Sequence, residues 1–286
     1  MKNLFLAFIS VFIFSQGFSQ GFSGDTWAKA KQSKQANIVV TYTDAPKFSE
    51  KKGGKYQGVC FDIMEDFIAF VKNKYGVTLN VQYKDLSRPQ DFDLFLKTIK
   101  VSRGGVIGLG DVTITNARKQ EYTFSPPYFS NIAILATNQN APKLSSLQNI
   151  SKDFAGMTAI VQNGTTHEKR MQEIKSKYFP SLKIETTVSF DQANQKVANN
   201  PNYFTYIDFS TYMQVLEQKL PLKRQAAGDQ KGESFGFIMP KNSDWDEPMQ
   251  AFFGQNGGYT NSTAYRKILA NNLGNYVLRL LDAMNK

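Results

Sequence analysis

The stretch Gly110–Phe129, GDVTITNARKQEYTFSPPYF, decides how this chain folds. It continues the apolar run VIGL, Val106–Leu109, of the kind found in a strand covered on both faces, and DVTIT then alternates polar and apolar positions. The pattern predicts a strand that emerges through Asp111–Thr115, with Arg118 just beyond its carboxyl end. A guanidinium at that place offers a planar fork of donors that can hold a carboxylate bidentately, with the Thr113 hydroxyl and main-chain groups beside it. The plainer alternative is a surface arginine between the charged neighbours Lys119 and Glu121.

Outward from this stretch, strand and helix patterns alternate. IVVTYT (38–43), VTLNVQY (77–83) and GVIGLGDVTIT (105–115) read as strands. FDIMEDFIAFVKNKY places Phe61, Met64, Phe67, Ile68 and Val71 on one helical face, and DFDLFLKTIKV forms a second amphipathic helix. The alternation resumes after NIAILAT (131–137), with strands MTAIV, KIETTV and YFTYI and helices between them. A strand SFGFIMP (234–240) and two closing helices, from about 246 and 262, complete the chain. The implied fold class is α/β, with mostly parallel sheets and crossover helices. Two such units, joined near residues 135 and 233, leave a cleft faced by the carboxyl ends of strands, where ligands of open α/β sheets bind.

The 286 residues suffice for two domains, and no repeat of solenoid length is visible. Lys2, the apolar run Leu4–Phe14 and the small residues after it resemble a secretory leader, and the run is too short to cross a bilayer. The formal net charge of +10 comes from basic residues scattered among acidic ones, the pattern of a solvated surface and not of a nucleic-acid interface. Cys60, the only cysteine, lies in an apolar context and reads as a buried small hydrophobe. His167, the only histidine, falls in the first turn of a helix and reads as solvated. One His with one Cys cannot form the usual metal clusters, and no phosphate loop occurs, so neither metal nor cofactor is expected.

The pattern D-x-T-I-T-x-x-R followed by T-F-S-P-P-Y resembles the signature of the amino-acid-binding type II periplasmic binding proteins, the family 3 solute receptors that serve ABC importers. The likeness extends to GKYQGVCFDIMEDF and to GGYTNSTAYRKILANNLG, nearly the whole chain. It implies a two-lobed fold with a two-strand hinge: a leader over 1–19, a first lobe from 25–136 and 232–286, and a second from 137–231. It also implies a periplasmic or extracellular protein that binds a free amino acid or similar zwitterion, acts without catalysis and engages a membrane permease. A dehydratase or sensor on the same fold is the alternative. A monomer is expected, since neither lobe shows an apolar stripe left over for a partner.

By the same resemblance, Arg118 clamps the ligand carboxylate with help from Thr113. Gly164, Thr165 and Thr166 meet that carboxylate from the second lobe. Thr165 with Glu168 also reads as a capping box, and a helix N-terminus can be cap and anion site together. Asp208 matches the carboxylate that pairs with the ligand ammonium, or else caps the helix that follows. Tyr42, Asp44 and Phe48 follow the first strand, where relatives place a wall against the ligand side chain. Asp111 faces a cationic side chain or makes main-chain contacts only.

Overall fold

The computed structural model describes residues 21–284, so the expected leader lies outside the described residues. In chain order the strands are β1 (Gln35–Tyr42), β2 (Glu50–Lys52), β3 (Lys55–Gln57), β4 (Thr78–Lys84), β5 (Val106–Leu109), β6 (Tyr122–Phe124), β7 (Phe129–Asn138), β8 (Thr158–Gln162), β9 (Lys183–Thr187), β10 (Tyr203–Asp208), β11 (Leu222–Arg224), β12 (Gln230–Phe235) and β13 (Ile238–Pro240). The helices are α1 (Trp27–Ser33), α2 (Val59–Tyr75), α3 (Phe92–Val101), α4 (Asn116–Glu121), α5 (Ile150–Asp153), α6 (Thr166–Lys177), α7 (Phe190–Ala198), α8 (Phe209–Glu217), α9 (Asp246–Phe253), α10 (Thr263–Leu273) and α11 (Asn275–Met284).

Two sheets flanked by helices give a mixed α/β fold of two lobes. The first sheet runs β4-β1-β5-β13-β6, the second β11-β7-β10-β8-β9 with β12 also paired to β7. One strand in each runs against its neighbours: β13 against β5 and β6, and β7 against β10, β11 and β12. β5 is buried along its whole length, as its unbroken apolar run requires. α2 buries Phe61, Met64, Phe67 and Val71 against the first sheet, and Cys60 beside them donates to Tyr128 Oη at 3.2 Å. Burial pushes that thiol up to about 12.

The chain crosses between sheets twice, from β6 to β7 and from β12 to β13. The two crossings lie side by side, with Phe129 opposite Phe235 and Ser130 opposite Ser234. The rings of Phe129 and Phe235 stack at 5.8 Å, and Phe48 sits edge-on to both. Such contacts contribute roughly 0.5–1.5 kcal/mol each beyond area burial, which fixes where the hinge is anchored.

Several expectations need correction. β7, Phe129–Asn138, pairs wholly within the second sheet, whereas the expected first lobe runs through residue 136. The segment SFGFIMP is two strands, because Phe235 ends pairing with β7 and Ile238 begins pairing with the first sheet. Three helices close the chain, not two, and helix α1 and the β2–β3 hairpin occupy segments that polarity alone had not marked.

Candidate functional site

β5 ends at Leu109, four residues before Thr113, and the strand expected through Thr115 does not continue. Gly110 makes the turn at φ 149°, a conformation that disfavours side chains, and a Cβ there would sit 2.4 Å from Thr43 Cγ2. The segment beyond is stitched to the second crossing instead. Ile114 N–H donates to Ser234 O at 2.8 Å, and Gly236 N–H donates to Val112 O at 3.1 Å. Thr115 then caps α4, its hydroxyl accepting from Arg118 N–H at 3.1 Å. Arg118 is thus on a short helix that hangs from the hinge.

The Arg118 side chain is 8% exposed and lies over the Phe92 ring, 4.9 Å from its centre. Nη1 donates to Thr113 O at 3.0 Å, and Nη2 donates across the cleft to Gly164 O at 3.3 Å. A guanidinium has five N–H donors, so three have no protein acceptor among the described residues. Burial lowers its pKa to about 10, while Tyr122, Asp111 and Glu233 act in the opposite sense, so it stays charged at neutral pH. A buried cation with spare donors is built to receive an anion.

The second lobe brings the start of α6 to the same place. Thr165 Oγ1 accepts from Glu168 N–H at 3.2 Å, and Glu168 Oε2 accepts from Gly164 N–H at 2.8 Å. The expected cap is present. The amides of Thr166 and His167, in the first turn, have no intrahelical acceptor and carry the positive end of the dipole. Thr166 Oγ1 lies 3.5 Å from Thr113 Oγ1, one hydroxyl from each lobe. Phe92, Asp111, Thr113, Arg118, Thr165, Thr166, His167, Phe190 and Asp208 enclose a cavity of about 10 Å³. That is room for about one water, so the lobes are closed on each other.

Asp208 precedes α8 without capping it. Asn131, on β7, takes that duty, its Oδ1 accepting from Phe209 N–H at 3.2 Å while its Nδ2 donates to Asp208 Oδ1 at 2.6 Å. The Asp208 carboxylate is left facing the cavity. Asp111 faces it from the first lobe and is pushed well above 3.8 by burial, by the charge of Asp208 and by the hydrogen bond its protonated form gives Asp208. Two carboxylates sharing a dry cavity favour a proton or a cation between them.

Sequence reasoning missed the groups behind Asp208. His167 is buried, not solvated, because its ring is packed between Phe190 and Tyr206. Arg170 Nη1 lies 3.0 Å from His167 Nδ1, and arginine can only donate, so Nε2–H faces Asp208 at 3.4 Å. Arg170 also pairs with Glu233 at 2.5 Å, and Asn131 Nδ2 donates to Glu233 Oε2 at 3.0 Å. The Arg170 spacing, four residues after Thr166 on one helical face, was the available signal.

The residues expected to wall the ligand side chain separate. Tyr42 is the last residue of β1 and is buried in the core against Tyr56 and Phe61, and it does not line the cavity; Phe48 belongs to the hinge cluster. Asp44 does reach the cleft. It lines an adjoining cavity of about 470 Å³ between the lobes, which shares Asp111 and Phe190 with the small one. Gln162 Nε2 closes the floor of this chamber, donating to Gln90 O at 2.8 Å and to Val188 O at 3.1 Å.

Known proteins share this architecture. An ancestral arginine-binding protein bound to glutamine superposes with a TM-score of 0.64 at 23% identity, over 83% of this chain and 98% of that one. The arginine-, lysine-, histidine-binding protein ArtJ from the thermophilic bacterium Geobacillus stearothermophilus gives 0.66 at 20% identity, over 83% and 95%. An ancestral amino acid-binding protein, a precursor of cyclohexadienyl dehydratase, gives 0.64 at 21% identity, over 86% and 98%. At these identities the likeness shows the fold, which is the two-lobed type II periplasmic binding fold. Residues 37–255 match the family described as bacterial extracellular solute-binding proteins, family 3, and by that match the chain belongs to it.

Proposed function

We propose that this protein captures a free amino acid, or a closely related zwitterion, between its lobes and delivers it to an ABC-type permease from the periplasm or the cell exterior. One observation carries the reading: a buried Arg118 with three spare donors stands in one cavity with a helix N-terminus and the Asp111–Asp208 pair. The carboxylate meets Arg118 and the first-turn amides of α6, and the ammonium meets Asp208 and Asp111. A seat of about 10 Å³ admits no amino acid until the lobes part, so entry and hinge motion are coupled. We place the lobe boundary at the paired crossings, near residues 128–129 and 236–237, and the leader over 1–19.

Thermal unfolding against a panel of amino acids, keto acids and short peptides tests this. The reading expects a selective rise in melting temperature that Arg118→Ala removes, because a ligand held only by the folded form stabilises it by mass action. A shift that survives Arg118→Ala contradicts it.

A second reading is favoured by His167 Nε2 at 3.4 Å from Asp208, an imidazole and two carboxylates at one cavity. Such a group could move a proton, as a dehydratase acting on a cyclic precursor of an aromatic amino acid requires. Turnover of a prephenate-like acid by the purified protein would establish it.

A further inference from the structure

The chamber of about 470 Å³ beside the Arg118 seat is lined by four carboxylates, Asp44, Glu50, Asp111 and Asp191, contributed by both lobes. Among the described residues none of the four is in an ion pair with a lysine or arginine. Lys47, next to the lining residue Pro46, has its ammonium on Glu217 at 2.8 Å. Burial, together with the charge of Glu50, raises the Asp44 carboxyl above its ordinary value.

A ring of acids alone would describe a solvated rim. Two neutral side chains say otherwise. Gln162 is 3% exposed and Asn194 5% exposed, and Gln162 Oε1 and Asn194 Oδ1 have no hydrogen-bond partner among the described residues. Both residues line the chamber. The amide of Gln162 cannot be turned round, since its Nε2 is held by the carbonyls of Gln90 and Val188. A buried oxygen without a donor costs roughly 1–3 kcal/mol, a cost that a ligand donor placed there removes. The lining therefore presents acceptors from carboxylates and amides together.

Resting on the reading that Arg118 holds the carboxylate of an amino acid, we infer that this chamber receives a cationic, donor-rich side-chain end, a guanidinium or ammonium. Asp111 lines both cavities, so the ligand backbone and its side chain meet at that residue. A guanidinium spreads five donors in a plane and can satisfy Gln162 Oε1, Asn194 Oδ1 and a carboxylate at once. An acidic side chain would meet only like charge.

The test is calorimetric titration of the purified protein with L-arginine, L-lysine, L-citrulline and L-glutamine. Citrulline keeps the shape of arginine and loses its charge. Arginine or lysine is expected to bind at least about tenfold more tightly than citrulline. In Asp44→Asn/Asp191→Asn that ratio is expected to shrink several-fold while Arg118→Ala still removes binding, with thermal unfolding confirming that each variant is folded. Citrulline or glutamine binding as tightly as arginine overturns the cationic chamber and leaves the Arg118 seat standing. Failure of every panel member to bind in an Arg118-dependent way overturns the seat, and the chamber with it.

Discussion

The two cavities of the cleft differ in every respect that matters for recognition. The one at Arg118 is about 10 Å³, walled by groups whose positions are fixed by a cap, a hinge strand and cross-lobe hydrogen bonds. Its neighbour is about 470 Å³ and is lined by loops and β2 of the first lobe and mainly by β8, α7 and α8 of the second. The first suits the part that all amino acids share, the second the part that distinguishes them. Capped and hydrogen-bonded main-chain scaffolding therefore supports the general contact, and side chains support the selective one.

Breaking the general seat should have the largest effect. Arg118→Ala is expected to weaken every ligand of the panel by about 100-fold or more, the usual scale for losing one partner of a buried charge pair. A loss confined to one ligand, read by calorimetry, would move Arg118 into the selective chamber.

Thr165→Ala removes the cap of α6 and should lower stability by about 1 kcal/mol. Thermal unfolding measures it, and affinity should fall alongside if that helix end holds the ligand.

Asp111 joins the two cavities and gives a pH test. Its pKa is raised above 3.8 in the folded protein, so its contribution to stability is fully present below 3.8 and is lost as pH rises through the raised value. Asp111→Asn should therefore raise the melting temperature of the unliganded protein at neutral pH and flatten its pH dependence in that window. An amine ligand paired to Asp111 favours its ionised form, so the ligand's stabilisation of the fold should grow as pH rises through the raised value. A ligand-induced shift independent of pH across that window would remove Asp111 from the ammonium site.

The smallest effect is expected at the rim. Lys47→Ala breaks a partly exposed pair with Glu217 that spans the lobes, a change of less than about 1 kcal/mol. It should shift affinity slightly for all ligands alike, since it acts on closure.

The same contrast explains what could be read from the sequence. Arg118, Thr113, Thr165 and Thr166 were legible because they lie in short local motifs at the ends of elements, and they line one cavity, whereas Gly164 does not line it: its N–H is held by Glu168 and its carbonyl accepts from Arg118. Asp208 was legible as a strand end, but not the reason it is free of the helix, since Asn131 lies 77 residues away. His167 looked solvated because the local helix is polar, and its burial comes from Phe190 and Tyr206 on other elements. The chamber was invisible for the same reason: its lining comes from scattered segments that only lobe closure assembles. Tyr42 is the last residue of β1, which is buried on both faces from Ile38 onward, so it packs into the core and not against the cleft.

The most direct test is a crystal structure of the protein with the tightest amino acid of the panel. The account predicts the ligand carboxylate about 3 Å from Arg118 and the first amides of α6, the ammonium between Asp111 and Asp208, and the side chain directed toward Gln162. A ligand in the reversed orientation, or one bound without touching Arg118, would contradict it.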